Sequence, residues 1–138
     1  MEKLISNLFN KDEFSKSCGI QIDEMHLGYA QCSMEITGNH LNGIGTLMGG
    51  AVFTLADFTF GVAANSHGNV AVTLNANISF FQPCNHGIVT AVAKEISRTR
   101  RTGVYRISIA DDKGLLIAEM TGTCYFKSVK IETLSSDA

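Results

Sequence analysis

The hydrophobic positions change their period more than once along the chain. Leu4, Ile5, Leu8 and Phe9 recur at helical spacing, so the residues up to about Ser17 read as one or two short helical turns. From Ile20 the period drops to two. Ile20 and Ile22, then Ala30, Cys32, Met34 and Ile36, alternate with polar neighbours on either side of His26-Leu27-Gly28, which predicts two strands joined by a turn. The turn-rich TGNHLNGIGT leads into GTLMGGAVFTLADFTFGVAAN, where every residue from Met48 to Ala64 is apolar or glycine except Thr54, Asp57 and Thr59. A membrane span needs ~20 uninterrupted apolar residues. This run is shorter and carries a central acid, so it predicts one long helix buried within the fold.

After Asn65-Ser66-His67-Gly68-Asn69, a helix stop, alternation resumes at Val70, Val72, Leu74, Ala76, Ile78 and Phe80, and Pro83 ends it. Residues 88–97, 104–110 and 115–127 read as further strands, the last two joined by DDKG, a turn suited to antiparallel neighbours. The segment from about 130 to 138 reads as a loose polar tail. A single helix that is hydrophobic nearly all round is covered only if an antiparallel sheet curls about it. The expectation is therefore an α+β fold: one domain over 1–138, with a helical segment at 1–17 and a curved antiparallel sheet around one long central helix.

Composition narrows the function. Eleven basic residues against thirteen acidic ones leave a net charge of −2, which offers no global attraction to nucleic acid or to an anionic membrane, and no aromatic platform is interleaved with basic residues. Cys18, Cys32, Cys84 and Cys124 form no C-x-x-C pair, and MEKLISNLFNKDEF has no apolar run resembling a signal peptide, so reduced thiols in the cytoplasm are expected. His26, His40, His67 and His86 show neither close mutual spacing nor a neighbouring Cys pair. No metal site and no cofactor are expected.

The acid in the oily run needs a reason. At ~100° per residue, Gly50, Thr54, Asp57, Gly61 and Ala64 share one stripe of the helix. Asp57 either bonds to a backbone amide or a side chain such as Thr54 or Asn75, or serves beside a small-residue groove as nucleophile or general base. For the second role, Gly49 and Gly50 would supply bare N–H groups at the positive end of the helix dipole, suited to an oxyanion forming on a carbonyl. Gly49 and Asp57 lie ~12 Å apart on one helix, too far to share one carbonyl. Two antiparallel helices across a two-fold axis remove that obstacle, so this role requires an oligomer.

The stretch NGIGTLMGGAVFTLAD resembles the Asn-x-x-Gly-x-x-His-Gly-Gly signature, with an Asp seven residues beyond the last glycine, of the hotdog-fold acyl-CoA thioesterases of the phenylacetate-pathway (PaaI-like) type. The similarity runs from about Cys18 to Lys127 and includes AANSHG, FFQP and TGVYRISI. It implies a hotdog fold, dimers that usually pair into tetramers, and metal-free hydrolysis of acyl-CoA thioesters. It implies roles by position: Asp57 as the catalytic acid, Gly49 as the backbone donor to the thioester carbonyl, Asn42 near the attacking water or carbonyl, and Thr73 as a hydroxyl assisting the water. Met48 and Gly50 fall on the substrate side of the same motif.

Met48 departs from the family pattern, which commonly has His there, and a thioether neither donates a hydrogen bond nor carries charge. The alternative is therefore an acyl-CoA binding or sensing protein without turnover. A hotdog hydratase would be expected to carry a His-based acid/base pair, and His40 and His67 fall in loops. Arg98, Arg100 and Arg101 in SRTRRTG, at a hairpin tip, are either contacts for coenzyme A phosphates or a solvated turn. Phe53, Phe58, Phe60, Phe80 and Phe81 either line an acyl pocket or fill the core.

Overall fold

The computed structural model describes residues 1–134. Helices α1 (Glu2–Phe9) and α2 (Glu13–Ser17) precede the hairpin of β1 (Gln21–His26) and β2 (Tyr29–Glu35). A 3-10 turn, Gly38–His40, then leads to the long helix α3 (Gly49–Asn65). Strands β3 (Asn69–Phe80), β4 (Ile88–Arg98), β5 (Thr102–Ala110) and β6 (Leu116–Lys130) follow, with a last helical turn, α4 (Ile131–Leu134). The six strands form one sheet in the order β1-β2-β4-β5-β6-β3, every neighbouring pair antiparallel. This is the hotdog arrangement expected, with α3 lying in the concave side and packed mainly against β2 and β4.

Period-two alternation explains how the sheet accepts the helix. Ala30 on β2 and Ala91 and Ala93 on β4 are fully buried, and such small side chains let α3 approach the strands closely through Leu55, Ala56, Val62 and Ala63. Each fully buried Leu or Val there contributes about 1.5–3 kcal/mol relative to exposure. Gly122 on β6 carries the same logic further: a Cβ there would come within 2.6 Å of the Phe60 ring. The two threonines in the oily run are accommodated by back-bonding, Thr54 Oγ1 donating to Gly50 C=O at 2.8 Å and Thr59 Oγ1 to Leu55 C=O at 2.7 Å.

Three expectations are corrected. First, α3 is not covered all round. Gly50, Phe53 and Asp57 are exposed along one edge and Thr54 and Gly61 are half-buried, whereas Ala64, assigned to the same stripe, is buried. Part of the open side is closed by α1, whose Phe9 meets Phe58 edge-on at 5.4 Å between ring centroids and lies over Gly61, but the closure stops short of Asp57. Second, β3 does not alternate evenly. A bulge between Thr73 and Asn75 leaves Leu74 as the extra residue, so Thr73 (opposite buried Cys124) shares the concave face with Ala76, Ile78 and Phe80, and Val72 does not. Third, the tail does not loosen at 130: Ile131 is buried, its N–H bonding to Gly68 C=O at 2.9 Å. Residues 135–138 lie outside the described residues. Among the described residues no helix is long and apolar enough to cross a membrane.

Candidate active site

The entrance to α3 is built by its own loop. Asn42 Oδ1 accepts the N–H groups of Ile44 and Thr46, both at 3.1 Å, and Asn42 Nδ2 donates to Thr46 Oγ1 at 2.9 Å. The Asn42 and Thr46 main chains close the same turn at 2.8 Å. Next, Leu47 N–H donates to Cys84 C=O at 2.7 Å and Met48 N–H to His40 C=O at 2.8 Å, so the chain arrives at the helix held on both sides. Met48 is extended and caps nothing with its side chain. Ala51 and Val52 N–H reach back to Met48 C=O, whereas Gly49 and Gly50 N–H have no acceptor among the described residues. Two unpaired donors at the positive end of a 17-residue helix form a seat for a negative oxygen.

Asp57 stands two turns further along α3, on the exposed edge. It accepts no hydrogen bond from Thr54, Asn75 or any other described residue, so the purely structural role for this acid has no support in the single chain. Though exposed, the carboxyl is crowded enough on its protein side that burial raises its pKa above the ordinary value, and the Asp12 carboxylate at the start of α2 adds in the same direction. A carboxylate so placed is a better base than one free in water.

One cavity opens at the start of α3 and another beyond its end. The first, beside Gly49 and of about 350 Å³, is lined mainly by the apolar Leu47, Val52, Phe80, Phe81, Pro83 and Ile117, with Gln82 and Cys84 among them. Phe58 and Phe60, in contrast, are core. The second, of about 450 Å³, lies at the other end of α3 and gathers Arg98, Arg100 and Arg101 with Lys127, Lys130 and His67. The arginines are exposed at the β4–β5 tip as expected, and the tip is tied by Thr99 N–H to Thr102 C=O at 2.7 Å. The two lysines and His67 had no spacing signal in the sequence, because the lysines reach the arginines only through the register of β6 against β5, and His67 through its contact with Glu95 of β4.

A single chain thus brings Asn42, Met48, Gly49 and Gly50 together. It leaves Asp57 at mid-helix, Thr73 exposed on the edge strand β3, and the arginines at the far end.

Residues 44–118 match the thioesterase superfamily. The acyl-coenzyme A thioesterase PaaI of Escherichia coli K12 is 35% identical over 116 residues, covering 83% of each chain. The structure of the E. coli PaaI protein superposes with a TM-score of 0.87 over 90% of this chain and 91% of that one, at 33% identity. The phenylacetic acid degradation protein PaaI of Thermus thermophilus, in a mutant form, gives a TM-score of 0.80 over 83% of this chain and 99% of that one, at 34% identity. The chain belongs to the thioesterase superfamily. Within it, it is a PaaI-like hotdog thioesterase, a thioester hydrolase by class.

Proposed function

We propose that the working unit is a homodimer that hydrolyses acyl-CoA thioesters to a carboxylic acid and coenzyme A, as the name of the E. coli relative says of that protein. One observation carries the reading: the free donors of Gly49 and Gly50 and the Asp57 carboxylate share one exposed helix edge, with Phe53 midway between Gly49 and Asp57. A two-fold axis near Phe53 sets Asp57 of one chain opposite Gly49 of its copy, and each dimer gains two equivalent sites. The edge strand β3 supports the same assembly. Its outer side is unpaired over twelve residues, and Val72 and Leu74 on it are exposed, a surface that pairs readily with another strand. Antiparallel pairing of two β3 strands runs the Asn69 end of one, with its cationic cavity, toward the Phe80 end of the other, with its apolar one.

The acyl group enters the apolar cavity beside Gly49, and the thioester oxygen meets the Gly49 N–H. In the water-activating form of the mechanism, Asp57 takes a proton as water adds to the carbonyl carbon; the tetrahedral intermediate then expels coenzyme A thiolate, which recovers the proton. In the covalent form, Asp57 itself attacks the carbonyl carbon and the C–S bond breaks to release coenzyme A thiolate; water then cleaves the mixed anhydride to the acid and free Asp57, and the proton it releases goes to the thiolate. Thr73, on the concave face of β3, is the hydroxyl nearest in role to the attacking water, and Asn42 acts by holding the entrance turn. The six cation-capable groups of the second cavity receive the phosphates of coenzyme A. Pairing of dimers into tetramers fits the resemblance but is not needed to complete a site. All four cysteines are unpaired, which suits a reducing compartment such as the cytoplasm.

Met48 favours a second reading, coenzyme A binding without turnover, because its exposed thioether offers no hydrogen bond beside Gly50. A thiol-release assay across short, long, branched and aryl acyl-CoAs separates the two. Turnover that is lost in Asp57→Ala supports the hydrolase, and full activity in that variant overturns the mechanism.

A further inference from the structure

One carboxylate on the concave face has no part in the chemistry above. Val89, Ala91 and Ala93 of β4 all point inward, and the same alternation carries Glu95 inward at the end of the buried stretch. A bulge against β5 follows between Glu95 and Ser97. A charge on the core face needs partners, and Glu95 has three on a single oxygen. The fully buried Tyr105 hydroxyl donates to Oε1 at 3.0 Å, His67 Nε2 lies at 2.7 Å, and Arg98 Nε at 3.7 Å. Gly28 leaves room for it: a Cβ there would approach the Glu95 side chain at 3.1 Å. Burial by itself would raise the Glu95 pKa, but the hydrogen bonds from His67 and Tyr105 and the charges of His67 and Arg98 bring it below the ordinary value.

His67 and Arg98 both line the cationic cavity. Because Arg98 turns Nε toward Glu95, its two terminal nitrogens are left for an anion, and they have no other partner among the described residues. We infer that Glu95 is a positioning residue for phosphate recognition: anchored from the core by the Tyr105 hydroxyl, it holds Arg98 and His67 facing the cavity. The inference rests on the reading of that cavity as the site for coenzyme A phosphates.

The test titrates coenzyme A calorimetrically into the full chain as wild type, Glu95→Gln, Tyr105→Phe, Arg98→Ala and the Glu95→Gln/Arg98→Ala double variant. By charge alone, removing a carboxylate from among cations tightens anion binding, whereas lost positioning weakens it. Glu95→Gln and Tyr105→Phe are each expected to weaken coenzyme A binding roughly three- to tenfold. In the Arg98→Ala background Glu95→Gln should cost less than it does in wild type, since only His67 is then left for Glu95 to hold. In turnover, Glu95→Gln should raise KM for an acyl-CoA with kcat held, and leave KM for the matching acyl-N-acetylcysteamine thioester, which has no nucleotide, unchanged. Gln keeps an acceptor for Tyr105, and if it still fails to fold, Tyr105→Phe decides alone. Unchanged or tighter binding, an equal loss in the Arg98→Ala background, or an equal effect on the truncated thioester overturns the inference and spares the hydrolase reading. If Arg98→Ala itself leaves coenzyme A affinity unchanged, the cavity is not the phosphate site and both assignments fall.

Discussion

The Phe80 ring lies against Gly49, so that a Cβ added to this glycine would meet it at 3.3 Å. The contact joins the end of β3 to the start of α3 and leaves the Gly49 N–H open beside the apolar cavity. Phe80 is half exposed, so its ring can swing away from an added methyl.

Gly49→Ala is therefore expected to fold at least as well as wild type, gaining up to about 1 kcal/mol from the reduced freedom of the unfolded chain. Its kcat/KM should fall roughly tenfold or more, because the displaced ring moves into the space the acyl group needs. A thermal melt and a thiol-release assay on the same preparation read both quantities. Lower stability with unchanged activity would contradict the placement of the acyl group.

The same substitution on β6 should do the opposite. Gly122→Ala drives a methyl to 2.6 Å from the Phe60 ring, which is 1% exposed and has Tyr105 behind it at 5.5 Å between ring centroids. Overpacking of a closed core costs about 1–3 kcal/mol, so the melting temperature should fall by roughly 3 to 10 °C. Any activity change should follow the folded fraction, measured by circular dichroism.

On the proposed mechanism Asp57 should govern the acid side of the pH profile. Burial first, and the Asp12 carboxylate second, raise its pKa, and only the deprotonated form is a base or nucleophile, so kcat/KM falls as pH drops through the raised value. Asp12→Asn keeps an acceptor for Ser15 Oγ, which now donates to Asp12 at 3.0 Å, but removes the second cause. Its acid limb should move to lower pH with the plateau unchanged. The stability effect has a definite sign: a carboxyl whose folded pKa lies above its unfolded one contributes fully below the unfolded pKa, and that contribution is lost as pH rises through the folded one. Asp57→Asn should thus be inactive yet melt no lower than wild type at neutral pH. A marked loss of stability in this variant would give the acid a structural role instead.

Much of the fold was legible because periodicity and burial coincide. Ala30, Cys32 and Met34 alternate in sequence and are all buried, and the long apolar run is α3. The exposed edge of α3 was not legible. Gly50, Phe53 and Asp57 sit on an apolar helix whose open side only tertiary structure defines, and a sequence does not distinguish burial in a core from burial by a second copy. The bulge at Leu74 was also silent, since one extra residue in a run of Val, Thr, Leu and Asn disturbs no composition. It nonetheless decides that Thr73 reaches the concave face. The arginine tip could be read from SRTRRTG, but Lys127, Lys130 and His67 join it only through tertiary structure, and nothing in the sequence singles out Glu95, which β4 carries inward.

The shared site can be tested by mixing two defects. Gly49→Val crowds the donor side, since a β-branched side chain meets the Phe80 ring, and Asp57→Asn removes the base. Each homodimer should be inactive because both of its sites carry the lesion. In an equal mixture assembled together, half of the dimers are mixed, and each of these combines an intact Gly49 from one chain with an intact Asp57 from the other at one of its two sites. About a quarter of wild-type activity should therefore return. A site confined to one chain predicts no recovery, since neither variant carries both groups. Native mass spectrometry establishes that mixed dimers are present, so inactivity in a preparation that contains them would refute the cross-subunit arrangement.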